Sequence, residues 1–154
     1  MERAAFFASL DAERARWDAA LAQVDETRLS QMPAAGTWNI KDLVAHVTWF
    51  EREMVNLLRE RTLAGSDLWN LPQDERNAAI YAQSCDRPPG EVLEEARRVY
   101  AELRELLTSV TNEDLTDPGR FRDMPPAWVP WRVLAENTYE HYRDHLTQLL
   151  TATE

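Results

Sequence analysis

The segment NIKDLVAHVTWFEREMVNLL, residues 39–58, shows the period that organises the chain. Its apolar residues recur every three or four positions, so they share one face of an α-helix. The positions of this apolar stripe are Ile40, Leu43, Val47, Phe50, Met54 and Leu57. The segment is therefore predicted to be a long helix that buries one face against other helices.

Helical periods of the same kind continue in both directions from this segment. Glycine occurs only four times, and the alternation typical of strands is hard to find. Proline, glycine and loss of period divide the rest of the chain into predicted helices at about residues 3–24, 72–85, 91–110 and 131–150. Thr37 is the predicted N-cap of the long helix, and Gly65 is its predicted stop. Residues 111–130 have no convincing period and are predicted to be a loop.

These elements predict an all-α fold. Four long helices, one short additional helix and several long loops indicate a four-helix bundle, although the loop lengths do not require a simple up-down-up-down order. The amino-acid composition does not change along the chain, and no internal repeat is visible. Residues 1–154 are therefore predicted to form a single four-helix bundle domain.

Composition limits the expected partners. Asp plus Glu number 27 against 17 Lys plus Arg, for a net charge of -10, so nucleic acid is not expected as a partner. No apolar run approaches the roughly 20 residues that span a bilayer, and no signal-peptide core is visible, so no membrane partner is expected. The single cysteine, Cys85, excludes an internal disulfide and fits a cytoplasmic location.

The three histidines of the chain occupy positions from which they could meet. His141 and His145 are four residues apart, which on a helix places their Cβ atoms about 6 Å apart on one face. His46 borders the apolar stripe of the long helix and is expected to face the bundle interior. Imidazoles so placed can share one metal ion. The pattern alone leaves two alternatives open: a surface pair at residues 141 and 145, and a core-edge His46 bonded to a carbonyl.

Polar residues near the histidines are candidates for catalysis. Asp42 and Glu53 lie four residues before and seven residues after His46, so either could orient an imidazole N–H or act as a general base. The alternative for both is an ordinary surface carboxylate. Asn137 lies one turn before His141 on the predicted final helix, where it could orient substrate or support that histidine. Glu53 and Asn137 are the predicted catalytic residues.

Two motifs carry a resemblance to a known family. GTWNIKDLVAHVTWFE, residues 36–51, resembles the first motif of the DinB/YfiT-like metalloenzyme superfamily, and NTYEHYRDHL, residues 137–146, resembles the second. The pattern from Trp131 to His145 and the segment WNLPQDERNAAIY, residues 69–81, are similar to the ClbS/DfsB branch. The resemblance covers nearly the whole chain.

The resemblance implies a four-helix bundle in which His46, His141 and His145 hold a divalent metal ion with coordination positions left open. Zinc is the default ion, with nickel and iron as alternatives. The implied activity is that of a metal-dependent enzyme acting on a small electrophilic molecule, through hydrolytic ring opening and detoxification. Thiol S-transfer of the bacillithiol or mycothiol type and non-catalytic sequestration of a small molecule stay open as alternatives.

The expected partner is therefore a small-molecule substrate, and a homodimer is left open. Aromatic and proline-rich segments often form the walls of pockets. The entrance to the metal is accordingly predicted to lie at the end of the bundle covered by the Trp69 region or by the segment DMPPAWVPW, residues 123–131, which contains Trp128.

Overall fold

The computed structural model describes residues 1–32 and 38–151, and it confirms the all-α prediction. Within these residues the only bridge of strand type is an isolated one between Thr62 and Arg122. The α-helices are α1 Arg3–Ala22, α2 Ile40–Glu60, α3 Gln73–Ser84, α4 Pro89–Thr108, α5 Asn112–Thr116, α6 Pro130–Glu136 and α7 Tyr139–Thr151. None of these helices combines the length and the apolar character that crossing a bilayer requires.

Helix α2 is the central element of the fold. It packs along α4 and contacts α3 and α7, while α1 packs along α7. The apolar stripe of α2 is buried as predicted, and so are polar side chains on its other faces, including His46, Thr48 and Glu51. Apolar side chains from the surrounding helices complete the core, among them Phe6, Leu10, Trp17, Val92, Leu103, Leu107, Leu134 and Leu149.

The boundaries of α2 differ from the predicted ones. Thr37, the predicted N-cap, lies outside the described residues, and the helix begins at Ile40 with Asn39 as its cap. The Asn39 Oδ1 accepts a hydrogen bond of 2.8 Å from the Asp42 N–H, which is otherwise unpaired in the first turn. The prediction that Gly65 stops this helix is wrong, because Arg61 adopts a left-handed conformation with φ 50° and ends it at Glu60.

The final helix is broken, whereas the sequence predicted one continuous helix over residues 131–150. Helix α6 ends at Glu136 and α7 begins at Tyr139. The Asn137 Nδ2 donates to the Val133 carbonyl at 2.7 Å, and the Thr138 Oγ1 donates to the Leu134 carbonyl at 2.6 Å. Such bonds from short polar side chains compete with the helical pattern of the backbone. A break thus forms without proline or glycine.

The segment predicted to be a loop at residues 111–130 contains local structure. Helix α5 opens with a capping box, in which Thr111 and Asp114 bond each other's backbone N–H groups. The Asp114 carboxylate also pairs with Arg61 at 2.8 Å and with Arg120 at 3.1 Å. These ion pairs and the Thr62–Arg122 bridge fasten this segment to the residues that follow α2.

Candidate metal centre

Helices α2 and α7 bring the three histidines together. His46 projects from α2, and His141 and His145 project from one face of α7. The Nε2 atom of His141 lies 3.1 Å from Nε2 of His46 and 3.0 Å from Nε2 of His145. The two elements are distant in sequence, so this cluster exists only because α7 packs against α2. The spacing of four residues within α7 then aims both of its imidazoles at His46.

Hydrogen bonding among the rings cannot satisfy this arrangement. A ring nitrogen of a neutral imidazole carries either one N–H or one lone pair. Nε2 of His141 can therefore make a good hydrogen bond to one of its two neighbours, but not to both. Metal–nitrogen bonds of about 2.0–2.1 Å would allow one ion to reach all three converging nitrogens. The donor set accordingly fits a divalent ion, and three imidazoles leave positions for other ligands.

Burial and neighbouring charges keep two of the three rings uncharged at neutral pH. Burial, repulsion from His145 and the positive charge of Arg76 together lower the pKa of His46 from 6.5 to about 3. Burial, followed by repulsion from the other two rings, lowers the pKa of His141 to about 2. Both rings therefore remain neutral and offer a lone pair, which is the form that binds metal.

The Nδ1 atoms of the three rings differ in whether another residue bonds to them. If Nε2 supplies the lone pair, Nδ1 carries the proton. The Nδ1 of His145 lies 2.5 Å from the Oε1 of Gln148, so the amide oxygen accepts that proton and fixes the ring orientation. The Nδ1 atoms of His46 and His141 are buried, and no described residue accepts a hydrogen bond from them.

Aromatic rings form the wall of the cluster. The centroid of the Trp38 ring lies 4.6 Å from that of His46. The centroid of the Phe50 ring lies 5.0 Å from that of His46 and 4.6 Å from that of His141. Trp69 packs against Phe50 at 5.5 Å, and Tyr81 stacks on Trp38 at 6.5 Å. These four aromatic residues are called the aromatic wall below. A molecule that approaches the histidines from this side meets apolar surface.

The predicted entrance at Trp69 lies close to the cluster, because Trp69 belongs to the aromatic wall. Trp128 is different: it is 47% exposed, and none of the ring contacts of the described residues joins it to the wall. The prediction that the segment around Trp128 borders the entrance therefore receives no support from ring contacts.

Glu53 holds the segment that carries Trp69. Its Oε2 accepts hydrogen bonds from the Trp69 Nε1 at 2.7 Å and from the Ser66 backbone N–H at 2.9 Å. A Cβ atom at Gly65 would lie 2.3 Å from the same oxygen, so only glycine allows this close approach. Glu53 is buried, not a surface carboxylate. Its role as a general base stays a prediction, and the observed role of Oε2 is to anchor the Trp69 segment.

Asn137 and Asp42 are occupied by contacts of their own. Asn137 ends α6 and bonds the Val133 carbonyl, so it is not on a continuous helix face with His141 as predicted. Its catalytic role also stays a prediction. Asp42 is buried, with Oδ1 lying 2.8 Å from the Lys41 Nζ, which in turn donates to the Cys85 carbonyl at 2.6 Å. This pair ties the start of α2 to the end of α3.

Two residues beside the cluster were missed by sequence reasoning. Gln148 lies three residues after His145, and this spacing on one helix face was a usable signal. Arg76 lies over the Trp69 ring at 5.0 Å, and its Nε is buried without a described hydrogen-bond partner. No local pattern pointed to Arg76, because its position depends on how α3 packs against α2.

The helical fold and the three-histidine cluster define a helical protein with a candidate divalent-metal centre. A profile of the DinB superfamily matches residues 9–149, most of the chain, and the chain therefore belongs to the DinB superfamily. The crystal structure of an uncharacterised protein from Escherichia coli UTI89 is similar, with a TM-score of 0.74 and 17% identity, over 97% of this chain and 91% of that one. This likeness shows the fold alone. Comparison with curated proteins gives no match.

Proposed function

We propose that the chain is a metal-dependent enzyme that acts on a small electrophilic molecule, and that its reaction is hydrolytic ring opening of the ClbS/DfsB type. The single observation that carries this proposal is the convergence of three imidazole nitrogens, 3.0 and 3.1 Å apart. A divalent ion held by three protein ligands acidifies bound water and polarises an electrophile. Zinc is the default ion, and nickel and iron suit the same donors.

The chain's own residues would divide the work as follows. His46, His141 and His145 hold the ion, and Gln148 orients one of these rings. Trp38, Phe50 and Trp69 of the aromatic wall exclude water from one side of the site and receive the apolar part of the substrate. Hydrolytic ring opening adds the hydroxyl of water to one ring atom and its proton to the other, so no further reactant is needed.

The experiment compares wild type with His46→Ala, His141→Ala and His145→Ala, all purified without a histidine tag. Each substitution should reduce the bound metal, measured by mass spectrometry, to well below one ion per chain, because two imidazoles hold an ion poorly. Circular dichroism should still show a helical protein, since the apolar core does not depend on the ion. Glu140→Ala is the matched control, because Glu140 neighbours His141 on α7 but lies outside the cluster.

The same variants separate the proposed reaction from its alternatives. The reconstituted wild type is incubated with epoxide and cyclopropane electrophiles, with and without a low-molecular-weight thiol, and the products are identified by mass spectrometry. A product heavier by one water supports hydrolysis, whereas a thioether product supports thiol transfer. Stoichiometric capture without turnover supports sequestration. A wild type that takes up no zinc, nickel or iron contradicts the metal site itself.

A further inference from the structure

A cavity opens on the side of the bundle between α1 and α4. Its volume is about 440 Å³, which falls within the range of small-molecule sites. Trp17 and Leu21 of α1 form one wall, and Leu93 and Tyr100 of α4 form the other. The floor comes from α2. We call this cavity the α1/α4 cleft.

The α1/α4 cleft is separate from the histidine cluster, because α2 lies between them. Glu51 lines the cleft and follows His46 by five residues, which places it about 140° further around the helix axis. Thr48, one turn before Glu51 on the same face, also lines the cleft. None of the three histidines does.

The floor of the cleft presents acceptors of hydrogen bonds. The Glu51 side chain is only 1% exposed, and its Oε1 accepts from the Arg14 Nη1 at 2.7 Å and from the Tyr142 hydroxyl. No described residue donates a hydrogen bond to its Oε2, which is not among the fully buried polar atoms and is therefore open to the cleft. Thr48 donates its hydroxyl proton to the Val44 carbonyl at 2.8 Å, which leaves its oxygen only as an acceptor. A molecule in the cleft that carries an N–H or O–H group could donate to these oxygens in place of water.

The charges around the cleft favour an uncharged ligand. Arg14 bonds both Glu51 and the rim residue Asp18, the latter at 2.9 Å, so a cationic ligand would meet a guanidinium beside the acceptor it needs. An anionic ligand would meet the Glu51 carboxylate on a chain of net charge -10. The exposed Arg97 at the rim does not reverse this balance at the buried floor.

We propose that the α1/α4 cleft is a second binding site, for an uncharged and largely apolar molecule that carries one N–H or O–H donor. The apolar body packs between Trp17, Leu21 and Leu93, and the donor reaches Glu51 and Thr48. The site is independent of the metal centre and of the reaction proposed there.

Indole tests this site, because it has an apolar ring body and one N–H donor. Indene has the same shape without the donor and serves as the matched probe. Titrations of the full chain are followed by NMR, through the Trp17 indole and the methyl groups of Leu21 and Leu93. Indole should bind with saturable shifts at these residues, and indene on the order of tenfold more weakly, the ratio expected for one hydrogen bond to a charged acceptor. Tryptamine and indole-3-acetate should also bind more weakly than indole.

Variants locate the site. Ala101→Trp fills the rim from an exposed position and should abolish indole binding, while Thr48→Val should weaken it without changing the shape of the floor. His141→Ala should leave indole binding unchanged while it lowers metal occupancy, so the two sites fail independently. If Ala101→Trp does not fold, contacts between indole and Leu21 or Leu93 in wild type, measured by nuclear Overhauser effects, decide the location. Equal binding of indole and indene, loss of binding in His141→Ala, or no saturable shift at the cleft would overturn the proposal.

Discussion

The three imidazoles of the candidate metal centre are held in different ways. His145 has a polar partner, because the Gln148 Oε1 accepts a hydrogen bond from its Nδ1–H when Nε2 carries the lone pair, whereas His46 and His141 are held by burial and ring contacts. An imidazole with a fixed second nitrogen presents the other one in a defined direction. The orientation of His145 is therefore the one most easily tested by a conservative change outside the ligand set.

Gln148→Ala should weaken metal binding about tenfold, because His145 then loses the partner that fixes its tautomer and orientation. The affinity is measured by competition with a chromophoric chelator. Thr147→Ala is the control, since this neighbouring residue is exposed and its side chain does not contact the cluster. Equal affinities for Gln148→Ala and wild type would show that burial alone orients His145.

The lowered pKa of His46 gives the metal-free protein a defined pH dependence. The pKa of His46 is about 3 in the folded chain against an ordinary value of 6.5, so only the unfolded chain takes up this proton as the pH falls below 6.5. The stabilisation is thus present above pH 6.5 and is lost as the pH falls towards 3. Between pH 7 and pH 5, His46 should account for a loss of about 1–2 kcal/mol in the free energy of unfolding.

Urea denaturation of metal-free wild type and His46→Gln at several pH values checks this expectation. Glutamine cannot titrate, so the free energy of unfolding of the variant should fall less steeply with decreasing pH. Burial raises the pKa of Glu51, and this shift makes the free energy of unfolding rise as the pH falls. The contribution of Glu51 is present in both proteins, so it cancels when their free energies of unfolding are subtracted. Parallel curves for the two proteins would mean that the folded state protonates His46 as readily as the unfolded chain.

At the scale of elements, the position of the segment that follows α2 depends on the lack of a side chain at Gly65. Gly65 lets the Glu53 carboxylate and the Trp69 indole approach its backbone, where an added Cβ would lie 2.3 Å from one and 2.8 Å from the other. Because Glu53 is buried and bonded at Oε2, its carboxylate cannot move aside without losing hydrogen bonds.

Gly65→Ala should lower the free energy of unfolding by about 1–3 kcal/mol, as expected for overpacking, and should shift the NMR signal of the Trp69 indole N–H. Gly90→Ala is the matched control: Gly90 lies in the first turn of α4 with open space around its Cβ position, and its replacement should change stability by less than about 1 kcal/mol. Similar effects of the two substitutions would show that the Trp69 segment adapts freely.

The elements also show what a single sequence can predict. The apolar stripe of α2 predicted a buried helix correctly, because its period reports which face is covered. The break between α6 and α7 was missed, because Asn137 and Thr138 lie within a helical pattern and break it through their own bonds to carbonyls. The end of α2 was placed too late, since Arg61 adopts a conformation that the sequence assigned to Gly65.

At the scale of the whole molecule, the histidine cluster was predictable and the α1/α4 cleft was not. Histidine is rare in this chain, so three of them at suitable positions, together with the family resemblance, pointed to one site. Arg14 of α1 and Glu51 of α2 are both buried and carry opposite charges, on helices that had no predicted pairing. The apolar period of a helix indicates which face is buried, but not which other helix covers that face. The Arg14–Glu51 ion pair and the cleft beside it could therefore not be predicted from the sequence.

Both sites share α2, and this has a consequence for local opening. His46 faces α7 and Glu51 faces the cleft, so exposing the backbone of α2 at either position must separate helices on both sides. Helix α3, by contrast, buries only Ile80 and Ser84. In native-state hydrogen exchange, the amides of α2 should exchange only through global unfolding, whereas those of α3 should exchange through a smaller opening that leaves the three histidines and the α1/α4 cleft in place. Equal protection of α2 and α3 would mean that the chain opens as a single cooperative unit, and that neither site can be loosened alone.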